Sequence, residues 1–224
     1  TIPLYEEGTA AVRPGPTLSG TTVFEITIKG KGGHGAAPHT TNDPLQVAAR
    51  LAIEISSVVG RHVDPMQPAV ISLGRLVAGT ASNIIPDSAE LSGTIRTYNA
   101  ETEARIIDKL DAACRGMALM SGCTITCEKK ASCPPCLNDP RAAAAAAAAA
   151  GTVLGEANVQ TDLTALPFSD DFALMLRQWP GAYIFLGQPG AMCHHPTFDF
   201  DDRLLPVGAS ILCRLVERQT GANA

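Results

Sequence analysis

Two of the settings in which the chain places its five histidines could do chemistry. His194 and His195 are adjacent, between Cys193 and Pro196, and Asp199, Asp201 and Asp202 follow closely. Neutral imidazole is a common ligand for a divalent metal ion, and a nearby carboxylate can orient the ring through its other nitrogen. A surface turn displaying two solvated imidazoles fits the same residues. One imidazole does not hold a catalytic metal, because three or more ligands are needed with a position left for water. No other cluster in the chain supplies them. The second setting is Gly30-Lys-Gly-Gly-His-Gly35, with His34 inside the loop and His39 just after it. Glycines allow positive φ and close backbone approach. A histidine there can point into a cleft and polarise a carbonyl or hold an oxyanion; a tight turn with an exposed ring is the alternative. Phosphate binding of the Walker type is excluded, since no Gly-Lys-Ser/Thr closes the loop.

Three further positions carry polar chemistry. Asn83 ends the turn Gly79-Thr-Ala-Ser-Asn83, where asparagine is ordinary. Arg96 falls on a strand, either as a solvated edge charge or as a fork for a substrate carboxylate. Asp170 and Asp171 follow Ser169, a pattern that marks a helix start where negative charge suits the dipole. No Gly-x-Ser-x-Gly nucleophile motif occurs.

The elements that must position these residues follow from periodicity. Residues 1–18 are rich in Gly and Pro and predict a connector. Thr21–Lys29 alternates, with Phe24, Ile26 and Ile28 on one side, and predicts a half-buried strand. Leu45, Ala48, Ala49, Leu51, Ala52, Ile55, Val58 and Val59 recur at helical spacing after Asp43-Pro44, and the helix should stop near Gly60. Strands follow at Ala69–Val77 and Ala89–Tyr98. A helix over Glu101–Met120 carries Ile106, Ile107, Leu110, Ala113, Met117 and Met120 on one face and closes at Gly122. Thr124–Lys129 predicts a last strand. Strand, helix, strand, strand, helix, strand is the split βαβ arrangement, a four-stranded antiparallel sheet with two helices on one face. Beyond Pro135 the pattern changes to a helix through the alanines to Leu154, a short helix over Asp171–Arg177, a short strand over Ala182–Leu186 and an amphipathic helix over Leu205–Arg218. That is an α/β layer with too few strands to complete a sheet. The expected division is a connector at 1–18, an α+β domain at 19–132 and an incomplete α/β part at 133–224.

Bulk composition narrows the function classes. With 224 residues, 46% hydrophobic and 17% charged, the chain can bury a sizeable core and is not disordered. The net charge of −5 without a basic stripe argues against nucleic acid and anionic membranes. The alanine tract after Arg141 falls far short of the roughly 20 apolar residues of a membrane span. Seven cysteines cannot all pair within the chain, and a reducing, cytoplasmic setting is expected. Cys133-Pro-Pro-Cys136 has the spacing of a redox or zinc pair, but no second pair exists and the prolines oppose a helix start, so plain thiols in a loop are expected.

Together these segments resemble the two-metal peptidases of the aminoacylase, hippurate hydrolase and indole-acetyl-amino-acid hydrolase branch, with carboxypeptidase G and succinyl-diaminopimelate desuccinylase as more distant relatives. The similar stretches are Phe24-Glu-Ile-Thr-Ile-Lys-Gly-Lys-Gly-Gly-His-Gly-Ala-Ala-Pro-His39, Gly79-Thr-Ala-Ser-Asn-Ile-Ile-Pro86, Leu91-Ser-Gly-Thr-Ile-Arg-Thr97, Ser169-Asp-Asp-Phe172, Pro180-Gly-Ala-Tyr183 and His194-His-Pro-Thr-Phe-Asp-Phe200. Position 170 is Asp where the family usually has Glu. The resemblance implies a catalytic α/β domain with an inserted split βαβ lid that forms a homodimer, and this chain would be the lid plus the C-terminal part of the catalytic domain. It implies hydrolysis of the amide of a small-molecule N-acyl amino acid by a metal-activated water with a Glu base. Two divalent ions per site are implied, zinc or manganese, with cobalt or nickel as further candidates. His34 would reach the partner subunit's active site and steady the oxyanion, Asn83 would border that cleft, Arg96 would take the substrate carboxylate, and His194 rather than His195 would be a metal ligand. The family's other metal ligands and its general base lie in a segment upstream of Thr1, so the chain alone is expected to be inactive. A dimerisation or small-molecule-binding module without catalysis is the rival expectation.

Overall fold

The computed structural model describes residues 1–221. In chain order the strands and helices are β1 (Ala10–Ala11), β2 (Gly15–Leu18), β3 (Gly20–Lys29), β4 (Gly33–His34), α1 (Pro44–His62), β5 (Ala69–Ala78), β6 (Ile84–Ile85), β7 (Ser88–Thr97), α2 (Ala100–Ser121), β8 (Thr124–Cys133), β9 (Cys136–Asn138), α3 (Pro140–Leu154), β10 (Val159–Gln160), α4 (Phe172–Leu176), β11 (Phe185–Leu186) and α5 (Leu204–Thr220). They form two compact units. One takes residues 19–135 with 167–169, and the other takes 1–18, 136–166 and 170 onward.

The unit at 19–135 is an antiparallel sheet in the order β5-β7-β3-β8. Strands β3 and β7 pair without a break from Gly20↔Thr97 to Lys29↔Ser88. Because side chains alternate across a sheet, this register puts Phe24, Ile26 and Ile28 on the same face as Ala89, Leu91 and Ile95. Helices α1 and α2 bury that face with Leu51, Ile55, Ile106 and Leu110. The architecture is the four-stranded split βαβ sheet that the periodicity predicts.

Local chemistry starts and stops the helices. The Asp43 side chain accepts from Leu45 N and Gln46 N at 2.9 and 3.3 Å, and Pro44 opens the first turn of α1. The helix does not stop at Gly60 as the sequence suggests. It runs to His62, since burying Val58 and bonding Val63 N to Val59 O outweigh a propensity cost of about 1 kcal/mol. Asn99 caps α2, and Gly122 closes it with a left-handed φ of 70°. The buried stripe of α2 is Thr102, Ile106, Leu110 and Cys114; Met120, expected on it, stands in the last turn and is exposed. Strand β8 continues past Lys129 to Cys133. A register shift between Val23 and Phe24 breaks its alternation and hides the continuation from a period-2 pattern. Lys129 precedes the shift, opposite Phe24 on the helix-covered face, and its Nζ lies 2.8 Å from Glu103 Oε1.

In the other unit β1 is the central strand, parallel to β10 and antiparallel to β11. The opening Gly/Pro-rich stretch, expected as a connector, therefore supplies the middle of this sheet, because two-residue strands are too short to show a period. Ala10, Ala149, Ala150 and Ile211 form a core, so the alanine helix α3 packs closely on β1 and α5. Buried Asn138 ties the layer together: its Nδ2 donates to Arg13 O and Tyr183 O at 2.9 and 3.0 Å, and its Oδ1 accepts from Tyr183 N at 2.7 Å. The expected strand over Ala182–Leu186 shrinks to Phe185–Leu186. Cys133 and Cys136 do not lie in a loop: one ends β8 and the other opens β9. Among the described residues no helix is long and apolar enough to cross a membrane.

Glu103 links helix to sheet. Burial raises its carboxyl pKa, but hydrogen bonds from Lys129 and Thr22 outweigh this and hold it below the ordinary value of 4.5. A carboxyl depressed in the folded state contributes stability that is present above pH about 4.5 and is lost as pH falls through the folded value. Glu103→Gln should lower the urea midpoint at pH 7 and flatten its decline below pH about 4.5. An acid limb parallel to that of the unaltered chain would count against this linkage.

Candidate functional site

The glycine loop is built by close approach. Gly30 N donates to Asp87 O, Gly32 N donates to Asp87 Oδ1 at 2.8 Å, and Lys31 and Asn42 exchange backbone hydrogen bonds of 3.0 and 2.9 Å. A Cβ on Gly30 would lie 2.1 Å from Asn42 O, and one on Gly32 would lie 2.4 Å from Ile85 O. Neither residue has a positive φ. The loop thus needs glycine for space, one of the two reasons the sequence allows. Past it, β4 pairs with β6 as His34↔Ile84, and Gly35 N donates to Asn83 O at 2.8 Å.

This ribbon brings His34 and Asn83 side by side. Sequence periodicity misses it, since two-residue strands lie below any window, and Asp87, which pins the loop, carries no pattern at all. The His34 ring is held by its own turn: Nδ1 accepts from Ala36 N at 3.0 Å. An accepting Nδ1 leaves the proton on Nε2. The exposed ring then presents an N–H donor outward, which is what a developing oxyanion needs.

Arg96 lies elsewhere. It pairs with Thr21 across β3 and with Val70 across β5, and its Nη1 donates to Thr21 Oγ1. His34 and Asn83 belong to the Lys29/Ser88 end of the same ladder. Eight residues at about 3.3 Å each separate the two ends by roughly 26 Å. The structure joins His34 to Asn83 and parts both from Arg96.

In the other unit His194 sits in an exposed turn with a left-handed φ of 70°, found at no other described non-glycine residue. That conformation is uncommon for a residue with a Cβ and is held only when its surroundings demand it. His195 is committed locally, its Nδ1 lying 2.9 Å from Thr197 Oγ1 and 3.2 Å from Thr197 N. Among the described residues no hydrogen bond is found between Asp199, Asp201 or Asp202 and either ring. Asp201 takes a two-point contact from Arg203 at 2.9 and 2.6 Å, which holds its carboxyl below the ordinary value, and Arg203 also reaches Glu7 at 2.9 Å. Among the described residues no three His, Cys, Asp or Glu side chains converge on a point that could hold a metal. The residues present therefore do not by themselves make a metal cage.

Asp170 works at the start of α4: its Oδ1 accepts from Phe172 N at 2.9 Å and its Oδ2 from Tyr183 Oη at 3.2 Å. Tyr183 stacks edge-on with Phe172 and Phe185 at 5.9 and 5.1 Å. Burial, then the Asp170 charge, pushes its phenol up to about 12.

Comparison with known proteins gives the family. Residues 17–119 match the family model described as a peptidase dimerisation domain. Those residues are an M20 dimerisation domain. The chain is 34% identical to N-acetylcysteine deacetylase of Bacillus subtilis, covering 93% of this chain and 54% of that protein. It is 32% identical to hippurate hydrolase of Campylobacter jejuni, covering 91% and 54%. It is 30% identical to IAA-amino acid hydrolase ILR1-like 4 of Arabidopsis thaliana, covering 94% and 50%. The chain thus spans about half the length of the curated relatives it matches. Among solved structures, the Bacillus subtilis YXEP protein, described as a dinuclear metal-binding peptidase of the M20 family, superposes with a TM-score of 0.76 at 27% identity, covering 95% of this chain and 54% of that one. Within the M20 dimerisation domain lie His34, Asn83 and Arg96; His194 lies outside it.

Tyr183 gives the second unit a pH signature. A phenol raised in the folded state contributes stability that is fully present below pH about 10 and is lost as pH climbs toward 12. Tyr183→Phe should resist unfolding better than the unaltered chain across that window, measured by denaturant midpoint against pH. Equal alkaline limbs would show that the buried phenol carries no linkage.

Proposed function

We propose that this chain is part of a metal-dependent amidohydrolase that cleaves N-acyl amino acids as a homodimer. Names such as N-acetylcysteine deacetylase and hippurate hydrolase describe removal of an acyl group from an amino acid, and they belong to relatives that align with nearly the whole chain. The observation that carries the dimeric reading is the separation of His34 and Asn83 from Arg96 by a sheet length. No small acyl amino acid touches both ends of one sheet. Arg96, near the end where the chain enters at Ser19 and leaves at Pro135, would take the substrate carboxylate of one site. His34 and Asn83 would serve the site of the partner, where the His34 Nε2–H steadies the oxyanion.

His194 would give one imidazole to a divalent pair, with zinc or manganese the first candidates. The described residues do not complete that cage. An odd number of cysteines suits a cytoplasmic enzyme. Strand β5, at one edge of the sheet with Val70, Leu76 and Val77 exposed, is a surface open to a second copy. The absence of a three-ligand cluster among the described residues also suits a second reading, a dimerising module without catalysis.

Subunit mixing separates the two readings. In the complete gene product, His34→Ala should lower kcat roughly 100-fold or more, as loss of an oxyanion donor does. Arg96→Ala should raise KM for substrates bearing a carboxylate. A mixed dimer of the two variants regains one intact site from two crippled subunits, so activity should recover toward half that of the unaltered dimer. Mixed dimers as inactive as their parents would place His34 and Arg96 in the same site or in none. Absence of hydrolysis in the unaltered gene product with any divalent metal would favour the non-catalytic module.

A further inference from the structure

We propose that Gln188 is a positioning residue for the turn that carries His194; this rests on the role given to His194 above. Gln188 is a fully buried polar side chain. It stands where β11 gives way to the loop 189–200, in which every residue from Cys193 to Phe200 is exposed. Its Nε2 donates to Asp199 O at 3.3 Å, which closes the loop across its neck. The other hydrogen bonds of this segment are internal: His195 N to Met192 O, Phe198 N to His195 O, and the His195–Thr197 pair. Among the described residues the Gln188 amide is therefore the hydrogen bond that fastens 189–200 to the body of its unit.

Gln188 is itself well anchored. Its backbone N donates to Ile2 O at 3.3 Å, and the preceding Gly187 N donates to Thr9 O at 3.0 Å. Gly187 runs so close to the 1–9 segment that a Cβ there would meet Glu6 O at 1.9 Å. The side-chain orientation is unambiguous, because a carbonyl only accepts, so Nε2 must face Asp199 O. That leaves Oε1 buried, and no described protein atom donates to it. Burying this amide carries a desolvation cost, and its one hydrogen bond among the described residues is the compensation it receives.

The consequence reaches His194 through its backbone. A left-handed φ is uncommon for a residue with a Cβ, so a released loop would be free to shift His194 toward an ordinary φ. Release of the neck would therefore redirect the imidazole without touching it, and a misplacement of about 1 Å at a reacting group costs on the order of 100-fold in rate. The lining of the small cleft inside the loop, Pro189, Gly190, Ala191, Thr197, Asp199 and Phe200 among others, would open with it.

Two variants test this. Gln188→Met keeps the shape and removes the donor; Gln188→Glu keeps the volume and the Oε1 acceptor and also removes the donor. Hydrogen exchange on this chain should show amides of 192–199 opening about tenfold faster or more in both variants, the worth of one hydrogen bond, with amides of β1 and α3 unchanged. In the complete gene product kcat should fall between about 10- and 100-fold while KM stays within about twofold, a split that general destabilisation does not give. Unchanged exchange in the loop overturns the tether. Faster loop exchange with unchanged kcat overturns the positioning role. A gene product that hydrolyses nothing sinks the amidohydrolase reading instead, and the exchange result alone then decides for Gln188.

Discussion

The ten-residue ladder between β3 and β7 is the constraint on which the rest of the dimerisation domain depends. Its unbroken register decides which side chains meet the helices, because a slip of one residue would turn Phe24, Ile26, Ile28, Leu91 and Ile95 to the opposite face. The same register decides where the polar chemistry emerges. Lys29 and Ser88 end together, so the loops that leave them, carrying His34 and Asn83, are forced into one ribbon. Arg96 is pinned to the other end by the pairing that places it opposite Thr21.

Close backbone approach is the second theme. Gly30 and Gly32 sit within contact of neighbouring carbonyls, and Asp87 receives both loop amides. That rigid cradle aims the turn that carries His34. The Ala36 N–H on His34 Nδ1 completes the aim by settling the tautomer. Rigid glycine packing and a single side-chain hydrogen bond thus convert a flexible residue type into an oriented donor.

The second unit uses different means. Its alanine helix carries no bulk, and this is why it packs tightly: Ala143, Ala146, Ala149 and Ala150 let β1 and α5 approach. Its polar order comes from few buried side chains: Asn138 in the layer, with three hydrogen bonds, and Gln188 at the loop neck, with one. His194 lies in the loop that this second device closes, with a left-handed φ of 70°.

Residue order alone determined the long elements, because ten-residue strands and helices of fifteen or more residues repeat their burial pattern often enough to be recognised. The start of α1 at Asp43-Pro44, the stop at Gly122 and the split βαβ order lie in local patterns, and family-like motifs single out His34, Asn83, Arg96 and His194 as candidates. Tertiary structure alone decided what depends on non-local contact. It made the Gly/Pro-rich start into a central strand, extended β8 through a bulge, joined His34 to Asn83 while leaving Arg96 a sheet length away, and set Gln188 across the neck of the His194 loop. The physical reason is range. Propensity and periodicity act over a few residues, whereas register, close packing and buried hydrogen bonds join residues that only the folded chain brings together.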